Sequence, residues 1–219
     1  SSSPVSEDEL LLVELPSNVA IPFQLADVKK ENGRIAQATL CFFSDLPSGS
    51  NKMFRLSKSA EGRNCKTGSS LKVSQSAEYV LLNNNRLRLE IPAPGTRKKM
   101  IPPVLRIGND NKWLGTSEMP AIRGFLEMEV SKVFFGDLFA EYLIHYQFSE
   151  NREFNVKIRI AAEEEFFTLE EQMNGFQESD SLAWKILWDN FQPEFRYCNN
   201  RPEKPVDYSD PGYMQFPAY

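Results

Sequence analysis

Apolar and polar residues alternate with a period of two along much of the chain, and this pattern predicts β-strands that bury one face. The stretch from Asp137 to Phe148 is the longest of these and places a row of apolar and aromatic residues on one side. Arg86 to Ile91 and Glu153 to Ile160 alternate in the same way. We predict further strands at Leu10 to Leu15, Val19 to Val28, Ile35 to Phe43, Met53 to Ser57, Leu71 to Gln75, Tyr79 to Leu82, Val104 to Ile107, Phe125 to Phe134, Phe166 to Gln172 and Leu182 to Trp188.

Turn-forming residues separate these strands, for example at Glu31-Asn32-Gly33, Asn83-Asn84-Asn85 and Gly136-Asp137. Wherever helical periodicity extends beyond about two turns, a strand explains the pattern better. Connections this short cannot hold crossover helices, so neighbouring strands are expected to pair antiparallel. The sequence therefore predicts an all-β fold.

The stretch from Lys58 to Ser70 is the best internal boundary, because it is polar, contains Gly62 and Gly68 and has almost no apolar residue to bury. We place one domain at residues 1–67 and a second at residues 70–190. Residues 191–219 are rich in Pro, Asn and Tyr and lack periodicity, which predicts a loop-like C-terminal extension.

The net charge is −5, and the basic residues are scattered apart from one run at Arg97, Lys98 and Lys99. Binding along a phosphate backbone needs a basic stripe, so we expect no nucleic-acid partner. No stretch approaches the roughly 18 consecutive apolar residues of a membrane span, so we expect no membrane partner either.

The cysteines, Cys41, Cys65 and Cys198, show no C-x-x-C spacing, so neither a zinc cluster nor a disulfide scaffold is indicated. Cys41 lies in an apolar run and is predicted to be a buried thiol. The segment Asn109-Asp110-Asn111 carries oxygen ligands but lacks a following acidic residue at calcium-loop spacing, which favours a turn. We expect no metal and no cofactor.

The candidates for acid–base catalysis are His145, Glu163 and Glu165. A carboxylate on the same strand face, Glu141, could hold the imidazole of His145, the only histidine of the chain; the alternative is a half-exposed strand histidine. On a strand, Glu163 and Glu165 would face one way about 6.5–7 Å apart, near the carboxylate spacing of glycosidases. The alternative for this pair is a solvated strand face.

Aromatic side chains offer a second kind of candidate, because planar rings stack on sugars. Trp184 and Trp188 share one predicted strand face, where they form either such a platform or part of the core. Trp113 lies beside a turn and Gly115, and we predict that it is the exposed aromatic and the carbohydrate-binding residue.

Several segments, taken in order, resemble the N-terminal part of the bacterial exo-rhamnogalacturonan lyase-like family. The resemblance extends from about residue 19 to residue 195. The segments that carry it are Ile21-Pro22-Phe23-Gln24-Leu25, Phe42-Phe43-Ser44-Asp45-Leu46-Pro47, Lys52-Met53-Phe54-Arg55-Leu56, Leu81-Leu82-Asn83-Asn84-Asn85-Arg86-Leu87-Arg88-Leu89, Gly136-Asp137-Leu138-Phe139-Ala140-Glu141, Phe154 to Ile160 and Phe166-Phe167-Thr168-Leu169-Glu170-Glu171.

The resemblance implies a small β-barrel-like first domain followed by the start of an antiparallel β-sandwich, which we expect to be incomplete within this sequence. It also implies an extracellular or periplasmic protein that handles pectin-type polysaccharide by β-elimination. The helical toroid that follows the sandwich in that family is absent here, and no catalytic residue of the family is carried over.

Three functions are consistent with these observations. The first is a non-catalytic or partial β module of a polysaccharide lyase acting on rhamnogalacturonan, with polysaccharide or oligosaccharide and further domains of the same protein as partners. The second is a stand-alone carbohydrate-binding module, and the third is a structural β domain with no ligand. We expect the chain by itself to be catalytically inactive.

Overall fold

The computed structural model describes residues 9–58, 70–109, 111–177 and 182–189, together with the backbone of two short strands at Phe195–Arg196 and Lys204–Pro205. Regular structure in these residues is almost entirely β-strand, and all the paired strands run antiparallel. The prediction of an all-β fold is confirmed.

The N-terminal part forms two small sheets. Its strands are β1 (Leu10–Leu15), β2 (Val19–Ala20), β3 (Phe23–Glu31), β4 (Arg34–Phe42) and β5 (Met53–Lys58). β1 pairs with β2 and β5, while β3 and β4 form a separate hairpin. Leu12 of β1 packs with Phe23 and Leu25 of β3 in a hydrophobic cluster shared by the two sheets. In the described residues these sheets do not close into a barrel.

The predicted strand from Val19 to Val28 is divided into two strands that belong to different sheets. β2 pairs with β1, whereas β3 pairs with β4. The division falls at Ile21 and Pro22, and proline has no backbone N–H to continue a ladder. The period-two pattern continues across this point, which is why it predicted a single strand.

The larger part of the fold contains a six-stranded sheet with the order β16-β11-β10-β8-β7-β6. Its strands are β6 (Lys72–Gln75), β7 (Tyr79–Asn83), β8 (Leu87–Pro92), β10 (Arg106–Asn109), β11 (Trp113–Glu118) and β16 (Lys185–Trp188). The other main sheet has five strands in the order β15-β14-β13-β12-β9. Its strands are β9 (Gly95–Arg97), β12 (Phe125–Phe135), β13 (Phe139–Phe148), β14 (Glu153–Ala161) and β15 (Phe167–Asn174).

One hydrophobic core joins these two sheets, because every second residue of their long strands is buried. In the five-stranded sheet, β13 and β14 supply the largest buried side chains, including Tyr142, Tyr146 and Phe154. Leu89 and Ile91 of β8 are fully buried in the same core from the six-stranded sheet. The arrangement is that of a sandwich, so each sheet also has an outer face that points away from this core.

A buried glutamine ties the N-terminal hairpin to the five-stranded sheet. The side chain of Gln24, on β3, donates to the carbonyl of Phe139 at 3.2 Å and accepts from the N–H groups of Leu138 and Phe139 at 2.8 and 3.2 Å. Gly136 lies so close that a Cβ atom there would clash with the Gln24 amide. The side chain is 3% exposed, and these bonds satisfy its polar atoms.

A buried asparagine joins two turns at one end of the sandwich. The side chain of Asn84 donates to the carbonyls of Ala161 and Glu164 at 2.6 and 2.8 Å, and accepts from the N–H groups of Arg86 and Leu87. The predicted Asn83-Asn84-Asn85 turn is therefore present, with Asn85 in the left-handed region at φ 69°. This bond network fixes the β14–β15 connection against the β7–β8 connection.

Parts of the predicted domain division lie outside the described residues. The proposed boundary includes residues 59–69, which are not described, and the C-terminal extension is described only at the backbone of strands 195–196 and 204–205. These two strands, β17 and β18, pair with each other within the stretch predicted to be loop-like.

Candidate functional site

The outer face of the six-stranded sheet carries the most distinctive cluster of polar side chains in the described part of the chain. On β8, Leu89 and Ile91 point into the core, so Arg88 and Glu90 lie on the opposite face. The strand register places Arg106 of β10 opposite Glu90. The same register places Gly108 opposite Arg88.

Trp113 reaches these arginines because its partner across the β10–β11 ladder is a glycine. Trp113 pairs with Gly108 next to an irregularity in the register at Ile107 and Gly108. A Cβ atom added to Gly108 would lie 3.0 Å from Cε3 of the Trp113 ring and 2.5 Å from the carbonyl oxygen of Lys112. The missing side chain therefore makes room for the indole on the sheet surface.

Two guanidinium groups lie on the Trp113 ring. The Cζ atom of Arg106 is 4.1 Å from the ring centroid and that of Arg88 is 4.4 Å away, both within cation–π distance. A stacked guanidinium uses its flat face, so the N–H donors in its plane remain able to bind an anion. We call Arg88, Glu90, Arg106 and Trp113 the arginine–tryptophan cluster.

The cluster holds more positive than negative charge. Glu90 is 7% exposed, and its Oε2 lies 3.7 Å from Nη1 of Arg106, which is within ion-pair range but too long for a hydrogen bond. Nε of Arg88 is buried and has no hydrogen-bond partner among the described residues. The side chain of Arg106 is 40% exposed, so an external anion can reach it.

The three tryptophans lie in different environments. Trp113 was expected to be exposed. It is instead partly buried, and its ring contacts the two arginines. Trp184 packs against the core, and its Nε1 donates to Oε1 of Glu171 at 3.2 Å. Trp188 is 37% exposed, so the predicted Trp184 and Trp188 pair is divided between core and surface.

His145 lies on the outer face of the five-stranded sheet, among polar side chains. Its Nδ1 is 2.8 Å from Oδ1 of Asn155 on the neighbouring strand β14, and Glu129 of β12 lies opposite. Glu141, the carboxylate predicted to hold the imidazole, is instead bound by Arg159, whose Nε and Nη2 lie 2.8 and 2.6 Å from Oε2. The described contacts of His145 are those of a half-buried strand histidine.

Glu163 and Glu165 do not lie on a strand, so the spacing considered for them on a strand does not apply. Both lie in the connection between β14 and β15, and Glu163 has a left-handed backbone with φ 64°. The backbone N–H of Glu163 donates to Ser70 Oγ at 3.3 Å, and the Glu165 carboxylate forms an ion pair with Arg86. The alternation of β14 ends at Ala161, so the period-two spacing does not continue into this acidic run.

The structure does not bring the catalytic candidates together. His145 pairs with Asn155, whereas the acidic connection begins after Ala161 at the far end of the same strand. Six residues of strand separate these positions, which corresponds to about 20 Å. His145 and the Glu163 and Glu165 pair therefore cannot act on one bond.

Cys41 is also less buried than predicted, being partly exposed on β4. Burial is the main cause that raises the pKa of its thiol, nearby Arg159 lowers it, and Asp27 and Glu141 add further upward contributions. Cys65 and Cys198 lie outside the described residues.

No group of three or more His, Cys, Asp or Glu side chains suited to a metal ion occurs within the described residues. At the predicted Asn109 turn, Oδ1 of Asn109 accepts from the N–H groups of Asn111 and Lys112 at 3.1 and 3.0 Å. These bonds form a side-chain-closed turn. Asp110 lies outside the described residues.

A cleft of about 810 Å³ lies beside the loop that joins the two main sheets, lined by Arg123, Gly124, Ser149, Arg152 and Phe176 among others. Arg152 donates to the carbonyls of Ser149 and Arg123 at 3.2 and 3.3 Å, so its guanidinium holds the walls of the cleft together. The arginine–tryptophan cluster combines two guanidiniums with an indole on an outer sheet face, and we take it as the candidate binding site.

No protein-family model, curated protein or solved structure matches this chain. In the described part of the chain, no helix is long and apolar enough to span a membrane.

Proposed function

We propose that this chain is a non-catalytic β module of a carbohydrate-active protein, and that the arginine–tryptophan cluster binds a uronate residue of an acidic polysaccharide. The observation that carries the proposal is the position of the Arg88 and Arg106 guanidiniums on the Trp113 ring, on the outer face of a sheet. Arginine recognises a carboxylate through two parallel N–H donors, and the indole under both guanidiniums helps to hold them in place.

Pectin-type rhamnogalacturonan is the first polymer to consider, because the sequence resemblance implies it and because its uronate residues each carry one carboxylate. An extracellular or periplasmic location and further domains of the same protein follow from the same resemblance. These parts of the proposal rest on the resemblance alone.

The non-catalytic part of the proposal rests on the separation of the candidate residues. β-Elimination next to a uronate needs a base for the proton α to the carboxylate and a cation that stabilises the enolate. His145 is far from Glu163 and Glu165, and Glu141 is engaged by Arg159. These candidates therefore do not supply the base and the enolate-stabilising group together.

A structural β domain without a ligand is the second candidate, and one observation favours it. Both guanidiniums already stack on Trp113, and stacking of this kind also stabilises a sheet surface with no ligand bound. The two functions differ in whether the cluster binds sugar acids in solution.

Isothermal titration calorimetry with rhamnogalacturonan oligosaccharides and polygalacturonate, and with neutral galactan as the comparison, tests the proposal. We expect the acidic ligands to bind and Arg106→Gln to reduce their affinity at least tenfold, which is the size of one lost charged hydrogen-bonding contact. Arg86→Gln is the matched control, because Arg86 is an arginine of this chain paired with Glu165 outside the cluster. Absence of binding by the folded wild-type chain would favour the structural domain.

A further inference from the structure

Glu90 is the one acidic member of the arginine–tryptophan cluster and lies next to both of its cations. It is two residues from Arg88 on the same face of β8, about 6.5–7 Å along the strand. It is directly opposite Arg106 on β10. At 7% exposure, its carboxylate is among the few buried charged groups of the described residues.

The charges of the cluster determine how much negative charge it can accept. Two guanidiniums and one carboxylate leave a single excess positive charge. A ligand with one carboxylate brings the cluster to neutrality, with each guanidinium facing one anion. A more highly charged ligand would place a further negative charge beside a buried glutamate with no cation left to compensate, and like charges in such surroundings are unfavourable.

We propose that Glu90 sets the charge selectivity of this site, so that it accepts a sugar with a single carboxylate and rejects more densely charged, sulfated polymers. This inference rests on the proposed function, since it concerns the same site and the same class of ligand. Glu90 is a specificity-determining residue that acts by repelling the wrong ligand, which is a general route to selective binding.

The test compares polygalacturonate, with one carboxylate per sugar, and heparin, which also carries sulfate groups, at a fixed salt concentration. We expect wild-type protein to prefer polygalacturonate and Glu90→Gln to reduce that preference at least tenfold by improving heparin binding. Glu129→Gln, on the outer face of the other sheet, is the control and should leave the preference unchanged. The fixed salt concentration matters because screening alters all such affinities.

A second pair of variants keeps the proposal testable even if Glu90→Gln is poorly folded. Arg88→Gln leaves one cation facing Glu90, and we expect it to lose polygalacturonate binding. Adding Glu90→Gln to Arg88→Gln restores one excess positive charge, so the double variant should regain binding. No recovery in a folded double variant would overturn the proposal.

The results separate the inference from the function on which it rests. If wild-type protein binds polygalacturonate through Arg106 but Glu90→Gln leaves the preference unchanged, the selectivity role is wrong and the binding function stands. If wild-type protein binds neither polymer, both are wrong.

Discussion

The side-chain amide of Gln24 and the backbone of Phe139 exchange two hydrogen bonds, although 114 residues lie between them in the sequence. One residue belongs to the N-terminal hairpin and the other to the first position of β13. Because the amide also accepts from Leu138, the hairpin completes the bonding of a tight connection in the sandwich. The N-terminal part and the sandwich are therefore linked by a buried polar contact.

Replacing Gln24 by Ala should destabilise the protein by about 2–4 kcal/mol, because it leaves buried backbone groups at Leu138 and Phe139 without partners. Urea denaturation measures the change. Gln37→Ala, at an exposed position of β4, is the control and should have little effect. An unchanged denaturation midpoint for Gln24→Ala would mean that water replaces the hydrogen bonds of the side-chain amide.

Replacing Gly108 by Ala should shift the Lys112–Trp113 backbone and displace Trp113 from the arginines, since the new methyl group would lie 2.5 Å from the Lys112 carbonyl oxygen and 3.0 Å from the indole ring. We expect a changed near-ultraviolet circular dichroism spectrum and a loss of stability of about 1–3 kcal/mol, as is usual for overpacking. Weaker binding of acidic sugars should accompany these changes. A native-like spectrum with unaltered binding would show that the indole can move without consequence.

Replacing Trp184 by Ala should destabilise the fold by about 2–4 kcal/mol, at the lower end for a large aromatic because the side chain is only partly buried. Trp184→Phe keeps most of the apolar contact but removes the hydrogen bond to Glu171, so it should lose less stability than Trp184→Ala. Thermal unfolding measures both. A variant that keeps its stability but loses polysaccharide affinity would identify Trp184 as part of a binding platform.

Stability should fall as the pH rises above about 10, the ordinary pKa of tyrosine. Burial raises the pKa of Tyr146 far above that value and also raises the pKa of Tyr142. In this range the unfolded chain releases protons that the folded chain keeps, so Tyr146 lowers the unfolding free energy by about 1.4 kcal/mol per pH unit and Tyr142 acts in the same direction. The measurement is urea denaturation at several alkaline pH values, with ionisation followed by ultraviolet absorbance. In Tyr146→Phe the dependence on pH should be shallower, and an unchanged slope would contradict this assignment.

The chain alone should not depolymerise rhamnogalacturonan, because its described residues bring no base and enolate-stabilising group together among the candidates His145, Glu163 and Glu165. The assay follows the absorbance of the unsaturated uronate product. Turnover that persists after substitution of all three residues would show that the catalytic group lies elsewhere in the chain. Any reproducible turnover would contradict the non-catalytic assignment.

The period-two pattern predicted most strands of the core because burial of alternate residues determines both the pattern and the packing. It missed β11, since Trp113-Leu114-Gly115-Thr116 has no clear alternation and its place between β10 and β16 depends on partners distant in sequence. Trp113 was identified as a candidate, but its arginine neighbours were not. Arg88 and Arg106 meet only through the register of β8 and β10, which the sequence does not specify.

In the acidic run at Glu163 to Glu165, the spacing suited a strand where the structure has a connection. Asn84 binds the carbonyls of Ala161 and Glu164, and this contact bends the chain there. No local signal in the run itself reveals a partner about 80 residues earlier. Local patterns therefore predicted the elements better than the contacts between them.

The two broad faces of the sandwich differ in charge, and this difference bears on how the chain would lie against the acidic polymer proposed as its ligand. The outer face of the six-stranded sheet carries Arg88 and Arg106 with the single carboxylate of Glu90. The outer face of the other sheet carries Glu129 and Glu153, and also Glu127 and Glu170, which form ion pairs with Lys98 and Lys157. In a gel of acidic polymer the first face is attracted and the second repelled over distances of about a Debye length. If the proposed binding to acidic polymer holds, the face with Arg88 and Arg106 would lie against the polymer, and the face with Glu129 and His145 would point toward the solvent.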